Sequence, residues 1–353
     1  MVDLNIEDFT AAEAYLREKG FAVAGEHLSL ESLPGGVSNR TVLVRFSDGR
    51  RWVLKQALPK LRVAVDWFSS PDRIHREALG LQWFGRLAPA GSVPRFEFED
   101  EASYLLGMEA IPFPHQNWKT VLLSGNVNLN HVQQFGRLLG LVHRRASEER
   151  DLCQVFEDTS FFESLRLEPY YLYSAEQVPE AAEFLHRLVD ETRSCRLTLV
   201  HGDYSPKNIL LRNDNLILLD YEVAHFGEPA FDLGFSLTHF LSKAHHLTAR
   251  RALFAEAAVC YWQAYTQALG NVLWARDLEP RAVRHALGCL LARVAGRSPL
   301  EYLSEAERSR QRRVVLSLLP EPPCRVQDLV SEFLLQLELC AHYSEPERPR
   351  DSR

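Results

Sequence analysis

Three polar residues have the types and spacing to bind a metal ion and accept a proton: Asp203, Asn208 and Asp220. Two apolar runs lie between Asn208 and Asp220, with turn formers around Asp214, which predicts an antiparallel hairpin. Folding this hairpin about Asp214 would place Asn208 opposite Asp220, roughly 5 Å away at Cβ, so that both could hold one hard cation. Asp203 would face the same open end. Any one of these residues alone is typical of a turn, but together they favour phosphoryl transfer.

The sequence around these residues resembles a known family. The blocks 201–211 and 219–234 are similar to the core of the aminoglycoside phosphotransferase and choline kinase family, whose fold is similar to that of protein kinases. The resemblance implies an α+β, protein-kinase-like bilobal fold. Residues 1–110 would form a small N-terminal antiparallel-sheet lobe that binds the nucleotide. Residues 111–344 would form a larger, mainly helical lobe with the catalytic loop and acceptor site, and the polar tail 345–353 is predicted to be disordered.

The resemblance implies roles for five residues. Asp203 would orient the acceptor hydroxyl and accept its proton, while Asn208 and Asp220 would hold Mg²⁺ on the phosphates of ATP. Lys207 lies in the same loop, where it either neutralises the transferred phosphoryl group or faces solvent. Glu222 follows Asp220 by two residues, a pattern similar to the Asp-x-Glu of methylthioribose kinases, and would add a metal or water contact. ATP and Mg²⁺ are therefore the expected cofactors.

A glycine-rich loop precedes two strand-like runs in the N-terminal part. Its predicted phosphate-contacting residues are Gly35, Gly36, Ser38 and Asn39. Backbone amides of such a loop can approach phosphate oxygens closely, because glycine has no Cβ. Asp48-Gly49 between the two runs is a hairpin signal. The second run carries Lys55, which resembles the family lysine that pairs with the α- and β-phosphates; a solvated strand lysine is the alternative.

A helix is predicted next. Ser70 is its expected N-cap, a proline occupies the first helical position, and the helix runs to about Leu87. Glu77 lies in the second turn. In kinases a glutamate of this helix holds the nucleotide lysine, so the resemblance makes Glu77 the candidate partner of Lys55. The alternative is a solvated face formed by Arg76 and Glu77.

The segment 104–111 reads as a buried strand that leads into a proline-containing linker. In the family this is the hinge, where backbone groups contact the adenine edge. The resemblance implies that the Glu109 carbonyl and the Ile111 amide make these contacts, with Met108 lining the pocket. An apolar strand that ends in prolines is also typical of any domain connector.

The composition is typical of an intracellular globular enzyme. At 353 residues the chain allows about two domains, and its net charge of -7 argues against a nucleic-acid partner. The six cysteines stand singly without a Cys-x-x-Cys motif, which is typical of reduced thiols. Neither a signal sequence nor a membrane-length apolar run is recognisable, so we expect a cytoplasmic protein without a membrane partner. The oligomeric state is left open.

The stretch 148–191 is acidic, with twelve Asp or Glu residues and three Arg residues. In kinases of this type the insert before the catalytic loop helps to build the acceptor pocket, so an acidic insert would attract an amine-bearing acceptor. A solvated helix face is the alternative. Aromatic residues of this stretch are candidate pocket walls, with core packing as the alternative: Phe161, Phe162, Tyr170, Tyr171 and Tyr173.

The motifs serve ATP and leave the acceptor open. We predict a kinase that phosphorylates a hydroxyl of a small metabolite or antibiotic-like molecule, with amino sugars, amino alcohols and sugars as candidates. A methylthioribose-kinase-like sugar kinase is one alternative. A pseudokinase, which binds the nucleotide without turnover, is another. The sequence disfavours the pseudokinase because loss of catalysis usually removes a carboxylate, and all the expected carboxylates are present.

Overall fold

Alternating apolar and polar residues build the N-terminal sheet of this computed structural model, which describes residues 4–34, 38–62 and 68–342. The five strands are β1 (Ser29–Ser32), β2 (Asn39–Arg45), β3 (Arg51–Ala57), β4 (Phe96–Asp100) and β5 (Leu105–Glu109). They pair antiparallel in the order β1-β2-β3-β5-β4. Gly49, with φ of +90°, lies in the turn between β2 and β3. The hairpin predicted from Asp48-Gly49 is therefore confirmed.

Two helices, α1 (Phe9–Glu18) and α2 (Arg73–Leu87), cover this sheet. Leu105 packs in one apolar cluster with α1, and the adjacent Leu106 packs in another with α2, because successive strand side chains point to opposite faces. The predicted N-cap of α2 is wrong by two residues. Ser70 and the next two residues form a separate turn, closed by a bond from Arg73 N–H to the Ser70 carbonyl, so Asp72 takes the N-cap position.

The rest of the chain is mainly helical, as predicted. Its helices are α3 (Trp118–Leu123), α4 (Leu129–Glu148), α5 (Leu152–Val155), α6 (Ser160–Phe162), α7 (Tyr173–Gln177), α8 (Ala182–Ser194), α9 (Pro229–His246), α10 (Arg251–Leu269), α11 (Leu278–Ala295), α12 (Glu305–Leu318) and α13 (Val326–His342). A π-helical segment, Glu163–Leu172, joins α6 to α7. Helix α9 is buried over almost its whole length and packs against α10 and α11, so it forms the centre of this lobe.

Short strands position the loops of the helical lobe. They are β6 (Gln116–Asn117), β7 (Thr198–Val200), β8 (Ile209–Arg212), β9 (Asn215–Leu218) and β10 (His225–Gly227). Strand β7 pairs with β10, and β8 lies between β6 and β9. The predicted hairpin is confirmed as β8 and β9, with Asn213 and Asp214 both at positive φ in its two-residue turn.

Within the described residues, no helix combines the length and the apolar character needed to span a membrane. The tail predicted to be disordered, 345–353, lies outside the described residues. The division into domains at residues 110 and 344 stays a prediction.

Candidate active site

The loop after β7 is held in place by Asp232 of α9. One carboxylate oxygen of Asp232 accepts the His201 N–H at 2.7 Å and the other accepts the Gly202 N–H at 2.8 Å. Although burial opposes ionisation, His143 and these donors lower the pKa of Asp232. Gly202 has φ of +76°, and a Cβ there would lie 2.9 Å from a Val223 methyl group. The loop backbone is therefore fixed in one conformation.

Asp203 is held on two sides. The Asn208 amide nitrogen donates to Asp203 Oδ2 at 2.8 Å and to the Asp203 carbonyl at 3.0 Å. Arg166 Nη2 lies 3.0 Å from the same Oδ2, and Arg166 Nε donates to the Gly202 carbonyl at 2.8 Å. Because the nitrogen of Asn208 is engaged in this way, its amide oxygen is left for a cation.

Asn208 and Asp220 line the same cavity, but not in the predicted register. The Leu219 N–H donates to the Asn208 carbonyl at 2.9 Å, so Leu219 is the residue opposite Asn208. The prediction that Asp220 is directly opposite was wrong by one residue, since the turn contains two residues rather than three. Asp220 is the next residue after Leu219. It has φ of +73°, a left-handed backbone conformation, and lies beyond the last paired residues of β8 and β9.

Lys55 joins the two lobes. Its ammonium group contacts the Glu77 carboxylate on α2, as predicted, and lies 3.3 Å from Asp220 Oδ1 in the helical lobe. Burial works against the protonated form, but the Glu77 and Asp220 carboxylates outweigh it and raise the pKa of Lys55. Lys55 is therefore a fixed cation at the boundary between the lobes.

The remaining charges of the loop are also fixed. Burial would raise the pKa of Asp220, but Lys55 and Lys207 lower it to about 2. Lys207 is exposed and also lines the cavity, and the nearby Asp203 and Asp220 carboxylates raise its pKa. Burial lowers the pKa of His201, whose Nδ1 accepts the Asp203 N–H at 3.2 Å. His201 is thus a neutral spacer within the loop.

Glu222 lines the cavity, and its Oε2 lies 3.2 Å from Arg73 Nε. Arg73 is buried at the start of α2, where it donates to the Leu58 carbonyl at 2.8 Å and also to the Ser38 carbonyl. The carboxylate therefore belongs to an ion pair that reaches the end of the glycine-rich loop. Sequence reasoning missed Arg73 and Arg166, because isolated arginines in helical segments give no local signal.

The cavity has a volume of about 780 Å³ and extends from the sheet into the helical lobe. Of the residues predicted to contact the nucleotide, five line it besides Lys55: Ser38, Asn39, Met108, Glu109 and Ile111. Gly35 and Gly36 lie outside the described residues. In the portion of the cavity lined by these residues, two polar groups have no hydrogen-bond partner within the described chain. They are the buried Asn39 Oδ1 and the Ile111 N–H. Their placement suits a ligand with both donors and acceptors.

The acidic stretch does not contribute its acids to the cavity. Among the described residues, Leu165, Arg166 and Tyr170 line the cavity from the range 148–191, and none of its Asp or Glu residues does. Of the five candidate aromatic walls, Tyr170 alone lines the cavity among the described residues. Phe162 and Tyr171 are buried in the core instead. Phe162 stacks on His225, and Tyr171 lies in the π-helical segment, which packs against α8 and α11.

The chain is similar in sequence and in fold to known proteins. The sequence model of the phosphotransferase enzyme family matches residues 29–270. A methylthioribose kinase of Enterobacter sp. (strain 638) is 25% identical over 285 residues, which cover 70% of this chain and 70% of that protein. One from Yersinia pseudotuberculosis (strain IP 31758) is 26% identical over 267 residues, or 66% of this chain. The chain spans 64% of the length of that second relative.

The solved structure of amicoumacin kinase in complex with AMP-PNP and Ca²⁺ superimposes with a TM-score of 0.56 at 15% identity. The superposition covers 92% of this chain and 99% of that chain. This likeness confirms the predicted protein-kinase-like bilobal fold.

Proposed function

Because the chain belongs to the phosphotransferase enzyme family, we propose that it is an ATP- and Mg²⁺-dependent kinase that acts on a hydroxyl of a small molecule. The observation that carries this proposal is the 3.3 Å approach of Lys55 Nζ to Asp220 Oδ1, across 165 residues of sequence. Phosphoryl transfer needs a cation for the nucleotide phosphates beside a carboxylate for the metal. The N-terminal lobe supplies the cation, Lys55, and the helical lobe supplies the carboxylate, Asp220.

The side chains at this point suit Mg²⁺ and ATP. Carboxylate and amide oxygens are the ligands that Mg²⁺ prefers, and Asp220 with Asn208 offers both. The described residues contain no cluster of three or more His, Cys, Asp or Glu that could hold a metal alone, so phosphate oxygens would complete the coordination. When bound, Mg²⁺ would neutralise charge on those phosphates. Lys55, kept in place by Glu77, would hold the phosphates on the sheet side.

Asp203 would accept the proton of the substrate hydroxyl that is phosphorylated. Its carboxylate is held by Arg166 and Asn208, at 3.0 and 2.8 Å, so that it is oriented before the acceptor arrives. Lys207 lines the same cavity as a cation and would balance charge on the transferred group. Glu222 would hold a water molecule or the metal with the oxygen that does not face Arg73.

Calorimetry of AMP-PNP binding, with and without Mg²⁺, tests the proposal. In the parent, Mg²⁺ should strengthen binding by roughly tenfold or more, because Asp220 and Asn208 would hold the ion where it would neutralise charge on the phosphates. Asp220→Asn should lose most of that gain. Asp214→Asn is the matched control, because Asp214 is an exposed residue of the same hairpin that also has positive φ. Equal, metal-independent affinity in all three proteins would contradict the proposal.

A sugar acceptor is a second candidate. The two relatives named methylthioribose kinase align over about two thirds of this chain, and Glu222 follows Asp220 in the spacing that resembles those enzymes. Release of ADP with methylthioribose at a rate well above that with choline or an amino sugar would support this acceptor. A protein that binds AMP-PNP with Mg²⁺ but releases no ADP with any acceptor would be a pseudokinase.

A further inference from the structure

The helical lobe contributes a distinct wall to the cavity. Tyr170, Phe235 and His239 form it, with ring centroids 5.8 Å apart for Tyr170 and Phe235 and 5.1 Å apart for Phe235 and His239. Phe235 follows Asp232 by three residues along α9, and His239 follows Phe235 by four, so the wall continues from the residue that fixes the catalytic loop. An acceptor whose hydroxyl reaches Asp203 would lie against this wall.

Two guanidinium groups flank Tyr170. The central carbon of Arg166 lies 5.9 Å from the ring centre and that of Arg293 lies 5.6 Å from it. Arg166 is paired with Asp203, whereas Arg293 forms no ion pair with a carboxylate in the described part of the chain. Arg293 Nη1 donates to the Tyr170 hydroxyl at 3.1 Å and to the carbonyl and hydroxyl oxygens of Ser298, whereas the buried Arg293 Nε has no partner among the described atoms. Its positive charge therefore remains available to a ligand.

His239 is a second unpartnered group. It is 5% exposed, lines the cavity, and its Nε2 has no hydrogen-bond partner within the described residues. Burial, together with the charges of Lys243 and Arg293, holds the pKa of His239 well below its usual range. The ring is neutral, and Nε2 can carry a proton for donation to a ligand.

The surroundings of this wall are basic. Lys243 lies one helical turn beyond His239, is fully buried, and donates to the His239 carbonyl at 3.3 Å. Burial and the nearby Lys119 lower its pKa to about 7. Lys119 is paired with Glu301, whose side chain is 62% exposed. Burying several basic groups together is unfavourable unless a negative charge joins them.

From these contacts, and resting on the proposed kinase function, we propose that the acceptor is an alcohol that carries a carboxylate or phosphate group. Arg293 and His239 would bind the anionic group while Asp203 receives the hydroxyl. The bond between the γ-phosphorus and ADP breaks, a bond from that phosphorus to the acceptor oxygen forms, and the hydroxyl proton passes to Asp203. This proposal replaces the amine-bearing acceptor expected from the acidic stretch 148–191.

Thermal shift measurements at saturating AMP-PNP and Mg²⁺ test this proposal, because the nucleotide site is then already filled. Anionic ligands are compared with neutral ligands of the same carbon skeleton and with two cationic ligands. The carboxylates are glycerate, ribonate and gluconate, the phosphates are glycerol 3-phosphate, ribose 5-phosphate and glucose 6-phosphate, and the neutral and cationic partners are glycerol, ribose, glucose, glucosamine and choline. At least one anionic ligand should raise Tm more than every neutral or cationic partner. The carboxylate and phosphate sets tell the two anions apart.

Variants locate the binding site. Arg293→Gln should weaken the best anionic ligand by roughly tenfold to a hundredfold, and His239→Gln by roughly tenfold, as expected for lost hydrogen bonds to a charged group. Arg297→Gln is the control. Arg297 lies four residues after Arg293, pairs with Glu168 and is not among the described residues that line the cavity. The Arg297→Gln variant should therefore bind the anionic ligand as tightly as the parent does. His239→Gln remains an independent measurement if Arg293→Gln does not fold.

Two results would overturn the anionic acceptor. One is that a neutral or cationic ligand shifts Tm as much as any anionic ligand, and the other is that the anionic ligand binds both variants as tightly as the parent. Failure of the proposed function itself looks different, because the parent would then either bind no AMP-PNP with Mg²⁺ or bind it and release no ADP from ATP with any acceptor.

Discussion

Arg166→Met should slow phosphoryl transfer and destabilise the protein. The substitution removes the 3.0 Å ion pair to Asp203 and the 2.8 Å bond to the Gly202 carbonyl, in a place where both charged side chains are about one tenth exposed. Breaking a buried pair of this kind costs about 3–5 kcal/mol. With an unfolding entropy of about 2.1 cal/mol/K per residue over 353 residues, that loss lowers Tm by roughly 4–7 °C.

The effect on rate follows from the same contacts. Among the described residues, Asp203 then keeps only the Asn208 amide as a side-chain partner, so its carboxylate loses its fixed orientation, and kcat should fall by about 10- to 100-fold. The assay is ADP release at saturating ATP and Mg²⁺, with Tm measured in parallel. Arg187→Met is the control, because its pair with Glu183 is largely exposed and worth under about 1 kcal/mol. Unchanged kcat with a lowered Tm would mean that Arg166 is purely structural.

Two further substitutions probe other contacts. Glu77→Gln leaves Lys55 with Asp220 as its one carboxylate partner in the described part of the chain, so AMP-PNP should bind roughly tenfold more weakly by calorimetry. Unchanged affinity would remove Glu77 from this role. Lys243→Met removes a lysine whose pKa falls from its ordinary 10.5 to about 7 on burial. The unfolded chain keeps that proton more readily, so the parent loses stability as pH falls from about 10 to 7. The Tm gain of Lys243→Met should therefore be larger at pH 7 than at pH 9, and equal gains would contradict the assignment.

The parts of the site that the sequence predicted are those encoded locally. Asp203, Asn208 and Asp220 lie within one loop and hairpin, where turn formers limit how the chain can fold. The one-residue error at Asp220 arose because the turn contains two residues, which shifts every pairing beyond it by one. Contact between Lys55 and Glu77 required the family resemblance, since no local pattern links a strand to a helix 22 residues away.

The charged and polar residues of the proposed acceptor site in the helical lobe could not be predicted from the sequence. Arg166, His239 and Arg293 come from the π-helical segment, α9 and α11, and they reach one cavity because α11 packs against both of the other two elements. Composition was misleading here. The acidic stretch 148–191 is rich in carboxylates, but the side chains that it turns toward the cavity are an arginine, a leucine and a tyrosine.

Transfer of the terminal phosphate from γ-³²P-labelled ATP to an acceptor tests the central claim most directly. With Mg²⁺, the parent should label the acceptor that binds best, whereas Asp203→Asn should label it at least about 10²-fold more slowly while still binding AMP-PNP. Asp214→Asn should behave as the parent. Labelling by Asp203→Asn within threefold of the parent rate would contradict the assignment of Asp203 as the proton acceptor.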